Sequence, residues 1–240
     1  MVNCIKKSLA FTLAETLIVM GIIGVVSALT LPNLNSSTGE KEKVAKVKKI
    51  YQNLDDALGR AQAVYGPFDE WFLKDLTASA QSSRFGERMT EFMKVSKSCG
   101  MPSNKGCFSK KITKCLNGTN FDSSLDSTGA FKIILADGTS VYFSIKDSGN
   151  IIIIDIDGPS KGNNQFGIDL FTFTLENDLI QPNRLDNFSE YFSNIFGITK
   201  MGQYASGWII DYDNMDYLKL NSSGKCPNGT TLNEQNPRCK

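Results

Sequence analysis

Residues 11–31, FTLAETLIVMGIIGVVSALTL, form one apolar run that carries a single charge, Glu15. As a helix rising about 1.5 Å per residue, a run of this length crosses a hydrocarbon core of about 30 Å. Three readings compete. A secretory signal has an apolar core of about 7–15 residues and a small-residue cut after it. This run is longer, and Leu31-Pro32-Asn33-Leu34 lacks such a cut, although Ser27-Ala28-Leu29 leaves room for one. A plain signal anchor fits the length and leaves Glu15 unexplained. A carboxylate in mid-span costs about 2.5–3.5 kcal/mol on insertion scales, less near an end, so the third reading gives Glu15 a function.

The flanks carry a family likeness. Lys6-Lys7-Ser8-Leu9-Ala10 followed by Phe11-Thr12-Leu13-Ala14-Glu15 resembles the class III signal of type IV pilins and type II secretion pseudopilins. The resemblance implies that a prepilin peptidase cuts between Ala10 and Phe11 and methylates the new Phe11 amine. Glu15 becomes the fifth residue of the mature chain, where the family glutamate neutralises the amine of a neighbouring subunit. Opposite charges about 4 Å apart at an effective dielectric near 20 attract by about 4 kcal/mol. Gly24 and Pro32 fall where many pilins have helix-loosening residues, and Ala10 stands where the family usually has glycine.

The same resemblance implies a single-pass protein of a bacterial inner membrane, N-terminus in the cytoplasm and domain outside, later part of a periplasmic or extracellular filament. Implied partners are other pilin or pseudopilin subunits, an inner-membrane assembly platform and membrane lipid. A count of Lys6 and Lys7 against Lys41, Lys43, Lys46, Lys48 and Lys49 does not favour that orientation, but a large domain is translocated despite its charge.

The rest of the composition narrows the function classes. The 240 residues suit a short N-terminal segment plus one globular domain, and the formal net charge of +1 gives no general attraction to DNA. No basic stripe interleaved with aromatics stands out as a nucleic-acid surface. The absence of histidine excludes Ser-His-Asp and Cys-His chemistry. An enzyme is not expected.

Cys4 lies in the proposed leader; Cys99, Cys107, Cys115, Cys226 and Cys239 remain, none in a C-x-x-C. Their Lys/Asn/Gly/Ser-rich surroundings point to disulfides outside the cytosol, against free inert thiols. Cys226 and Cys239 bracket a turn-rich tail and pair most simply, followed by Cys99 with Cys107. In the alternatives Cys115 replaces either partner or reaches the tail. The tail also resembles the terminal disulfide loop of many pilins.

Along the chain, residues 1–10 are the leader and 11–31 the expected transmembrane assembly helix. Residues 32–66 hold a turn-rich zone, with a break or kink at Pro32 and near Gly39, then an amphipathic helix. Val44, Val47, Tyr51, Leu54, Leu58, Ala61 and Tyr65 recur at steps of three and four along it. Residues 67–129 form a Cys-containing connection with a helix from about Ser82 to Lys97, putting Phe85, Met89, Phe92 and Met93 on one face.

Residues 130–176 give the clearest strand signal, with an apolar Phe131–Leu135, an Asp137-Gly138 hairpin turn and a returning Val141–Ile145. Ile151–Ile156 and Asp169–Leu175 follow. Residues 177–240 hold an aromatic-rich Phe188–Ile198 segment, helix or strand, and an expected strand at Trp208–Tyr212. The expectation is an α+β, pilin-like fold: a long N-terminal transmembrane and spine helix packed on an antiparallel sheet of about four strands.

One further constellation bears on chemistry. Asp155 and Asp157 share a face at a strand end, and Asn163 and Asp169 follow across a Gly/Pro loop. Calcium takes six to eight oxygens, and this loop can supply several, whereas Asp, Asn and Gly also simply make turns. No other cofactor is expected. The leading function is a filament subunit of a type IV pilus or secretion pseudopilus. The alternative is a membrane-anchored extracytoplasmic binding protein or adhesin outside any filament.

Overall fold

The computed structural model describes residues 12–71, 76–192, 198–221 and 223–239, with the side chains of 28–37, Asp122 and Thr199 left undescribed. The chain divides into two units, Met1–Glu42 and Lys43–Lys240. A helix, α1 (Leu13–Tyr65), begins in the first and ends in the second.

In the first unit α1 starts at a capping box. Thr12 N–H donates to Glu15 Oε2 at 2.9 Å and Glu15 N–H donates to Thr12 Oγ1 at 3.3 Å, satisfying two N–H groups that a helix start leaves open. The expected break at Pro32 and near Gly39 does not occur, since α1 is helical through both. One internal proline costs about 3 kcal/mol, against the unmade bonds of two new helix ends. The expected transmembrane helix is also corrected: among the described residues, no helix is long and apolar enough to cross a membrane. Glu15 and Thr16 sit in the first turn of the apolar stretch, and by Glu40-Lys41-Glu42 the same helix is charged. The single-pass inner-membrane location falls with it.

The second unit is α+β. Its helices and strands run α2 (Ala78–Glu91), β1 (Val95–Gly100), β2 (Thr113–Lys114), β3 (Asn120–Asp122), β4 (Phe131–Leu135), β5 (Ser140–Ser144), β6 (Ile151–Asp155), β7 (Leu170–Glu176), β8 (Leu179–Pro182), α3 (Ile198–Met201) and α4 (Ala205–Tyr212). Six strands make one antiparallel sheet in the order β1-β4-β5-β6-β7-β8, and β2 pairs with β3 separately. The expected four strands are therefore the centre of a six-stranded sheet. The edges were missed because Val95–Gly100 is polar and Leu179–Pro182 is short and ends in proline.

Strand alternation sorts the sheet into two covered faces. On one, Ile133 pairs with Val141, Val141 with Ile154, and Ile154 with Phe171. This face meets Val47, Ile50, Leu54, Leu58 and Ala61 of α1 and Phe85 and Met89 of α2, all buried. The α1 stripe read from spacing is this packed face, with Ile50 and Ala57 added. On the other face Ile153 and Leu170 pack under Phe108, Leu125, Phe166 and the Cys99–Cys107 bridge.

Two further expectations change. The helix expected to reach Lys97 ends at Glu91, because Lys94 O accepts Ala136 N–H at 2.8 Å and the chain is drawn into the sheet as β1. Trp208–Tyr212 lies in a helix, α4, where the rings of Trp208 and Tyr212 meet one turn apart, tilted by 56° with centroids at 4.7 Å. Phe188–Phe192 forms a 3-10 turn, residues 193–197 lie outside the described residues, and α3 begins at Ile198.

Candidate functional site

The sequence-derived sites fall into three places. Ala10 and Phe11, the proposed cut, lie outside the described residues, as does Cys4. Glu15 caps its own helix, a role that Thr12-Leu13-Ala14-Glu15 announces as an S/T-x-x-E pattern but that the sequence reading passed over. Beyond it, α1 exposes Leu13 (79%), Met20 (72%) and Ile22 (60%), with Leu17, Ile18, Val19, Ile23, Val25 and Val26 also more than half exposed. At 3.6 residues per turn these positions cover every side of the helix. Nothing stands within 4 Å of where a Cβ on Gly24 would lie. Pro32 is helical in its backbone.

The cysteines are bridged as the simplest pairing expected: Cys99 to Cys107 with Cα atoms 6.2 Å apart, and Cys226 to Cys239 at 5.5 Å. Cys115 is free and buried.

The carboxylate loop joins β6 to β7. Asp155 and Asp169 are 1% and 0% exposed. Asp155 Oδ1 accepts the N–H groups of Asp157 (3.1 Å) and Gly158 (2.9 Å). Asp169 Oδ2 accepts those of Asn163 and Asn164, the latter at 2.7 Å, and its Oδ1 accepts Gln165 N–H at 2.7 Å. From α1, the Lys43 ammonium donates to Ile168 O at 3.1 Å and lies 4.0 Å from Asp157 Oδ2, while Lys46 donates to Ile156 O. Burial, with the Asp169 charge next in weight, pushes the Asp155 carboxyl up to about 8; burial raises Asp169 as well.

Three of the oxygens a cation would need, Asp155 Oδ1 and both of Asp169, accept backbone N–H groups, and a lysine ammonium stands beside Asp157. Among the described residues no group of three or more His, Cys, Asp or Glu side chains is arranged to hold a metal. Asp155, Asp157, Asn163 and Asp169 do converge, as the sequence suggested, and their hydrogen bonds lock the loop.

Two features escaped the sequence reading. Lys132, fully buried, donates to Asp126 O (2.9 Å) and Thr128 O (2.6 Å), and burial lowers its pKa. Second, the 30 residues between Glu91 and Asp122 hold six lysines, all exposed, and no carboxylate. Two of these lysines, Lys111 and Lys114, line a groove with Asn120, Asn163 and Gln165, which the sequence reading did not single out.

Against known proteins, the chain matches no family model, no curated protein and no solved structure.

Proposed function

We propose that the chain is a structural, non-catalytic subunit of a pilin- or pseudopilin-like filament, cut before Phe11 by a prepilin peptidase and polymerised through the start of α1. The observation that carries this reading is the helix from Leu13 to Val26, apolar on every side and exposed throughout. A helix apolar all round is stable only when enclosed. Fully burying one Leu, Ile or Val side chain contributes about 1.5–3 kcal/mol, so bundling identical segments of neighbouring copies supplies a large driving force. The bridged cysteines support an oxidising compartment for the globular unit.

In the assembled state Glu15 is read as the partner of a neighbour's Phe11 amine, and in the isolated chain as the cap of its own helix. The two roles separate experimentally, because glutamine keeps a capping box and loses the charge. In a host with a prepilin peptidase and an assembly apparatus, mass spectrometry of the mature chain is expected to find N-methyl-Phe11, and Glu15→Gln to abolish filaments. A mature N-terminus elsewhere, or filaments of Glu15→Gln at normal yield, overturns the reading.

A further inference from the structure

The lysine-lined groove is a built feature. It encloses about 690 Å3, within the range of small-ligand sites. One wall carries Lys111, Ile112 and Lys114, the other Asn163 and Gln165, with Asn120 on β3 beside them. The walls are tied together below the side chains. Lys114 N–H donates to Asn164 O at 3.0 Å, Phe166 N–H to Lys114 O at 2.9 Å, and Asn164 Nδ2 to Lys111 O at 2.8 Å. Gln165 Nε2 donates to Leu116 O at 2.7 Å.

The electrostatics are one-sided. No carboxylate lines the groove, and neither ammonium pairs with one among the described residues. Asp157 and Asp169 lie behind the wall at Gly162, where the ammonium of Lys43 and three backbone N–H groups offset them. In addition, Asn164 Oδ1 is buried without a partner.

The lining selects a ligand chemistry. Two ammoniums seek an anion. The side-chain amides of Asn120 and Asn163 both donate and accept, matching hydroxyl groups, while Gln165, whose Nε2 is taken by Cys115 O and Leu116 O, accepts through Oε1. Ile112, half exposed, offers an apolar patch to the C–H face of a ring. No aromatic lines the groove as a stacking platform for bases, and no arginine offers the planar fork that suits phosphate. We infer that this groove binds an acidic saccharide, its carboxylate or sulfate on Lys111 and Lys114 and its hydroxyls on Asn120, Asn163 and Gln165. The site stands whether or not the chain assembles into a filament.

Titration calorimetry on the full chain tests this with four probes: a heparin hexasaccharide, a neutral malto-hexaose, polyglutamate and a single-stranded oligonucleotide. The heparin hexasaccharide is expected to bind, more weakly as salt rises from about 50 to 300 mM, and the neutral sugar not at all. Lys111→Ala and Lys114→Ala should each weaken binding about tenfold, the worth of a charge-assisted hydrogen bond, at unchanged melting temperature. Asn120→Ala should weaken the saccharide alone. Equal binding of polyglutamate or oligonucleotide overturns the inference, as does failure of the acidic saccharide to bind or indifference to both lysine substitutions.

Discussion

Asp126 organises the second face of the sheet from a fully buried position. Its carboxylate accepts the N–H groups of Gly106 (3.0 Å), Cys107 (3.1 Å) and Phe108 (3.2 Å), and its carbonyl accepts Lys132 Nζ. Asp126→Ala strands two buried donors, Cys107 and Phe108 N–H, and the part-buried Gly106 N–H, at about 1–3 kcal/mol for each buried one, so a loss of at least about 2 kcal/mol is expected in urea unfolding. A loss below about 0.5 kcal/mol contradicts this account. Asp155 makes a pH prediction. Its folded-state pKa of about 8 lies above the ordinary 3.8, so the native state holds a proton that the unfolded chain releases. The resulting stability is complete below about pH 4 and is lost as pH rises through about 8. Asp155→Asn is therefore expected to match the parent near pH 4 and to melt higher at pH 8. Parallel melting curves across that range refute the assignment.

At the scale of elements, α1 illustrates how one pattern serves two purposes. Where apolar residues recur at threes and fours, from Val44 to Ala61, they pack on the sheet. Leu54→Ala should cost about 2–5 kcal/mol as a core truncation, whereas Val64→Ala, at a 64% exposed position, should stay within about 0.5 kcal/mol. Equal effects remove α1 from the core. The β6–β7 loop gives a second test. With its carboxylates held by N–H groups and Lys43, adding calcium at millimolar concentration or chelator is expected to leave the melting temperature unchanged. A clear rise with calcium refutes the lysine-locked loop. The strands from Phe131 to Glu176 were legible because each is an apolar or alternating run bounded by turn residues. The edge β1 was not, because its polar residues take strand geometry from pairing with β4. Trp208-Ile209-Ile210 has strand composition and is helical because the ring of Trp208 is enclosed by Tyr191, Phe192 and Tyr217, and Ser206 Oγ bonds Thr172 O.

At the scale of the molecule, the two bridges close short loops in the globular unit. A bridge spanning 13 residues, Cys226 to Cys239, should stabilise by about 3 kcal/mol through the entropy removed from the unfolded chain. The double Cys226→Ser, Cys239→Ser variant is expected to unfold at lower denaturant by that amount while keeping its fold. No change in the midpoint sinks the estimate. Tyr217 sits where the tail crosses the core, its hydroxyl donating to Gly167 O at 2.8 Å, and Cys239 N–H is held by Asp216 Oδ2 at 2.7 Å, so the bridged tail is part of the packing.

The sequence by itself determined what is local. The helix periodicity of α1, the hairpin at Asp137-Gly138 and the convergence of Asp155 and Asp169 all follow from residue spacing and turn chemistry acting over a few residues. So does the apolar N-terminal stretch, although its length and apolarity together suggested a membrane span, and among the described residues no helix is long and apolar enough for one. Tertiary structure decided what depends on partners far along the chain. Whether Lys43 reaches Ile168 O and Asp157, whether Tyr191 and Tyr217 enclose Trp208, and whether Lys111 and Lys114 line a groove all turn on which groups folding brings opposite. An apolar pattern states that a face is to be buried; only the assembled sheet and the loops across it state against what.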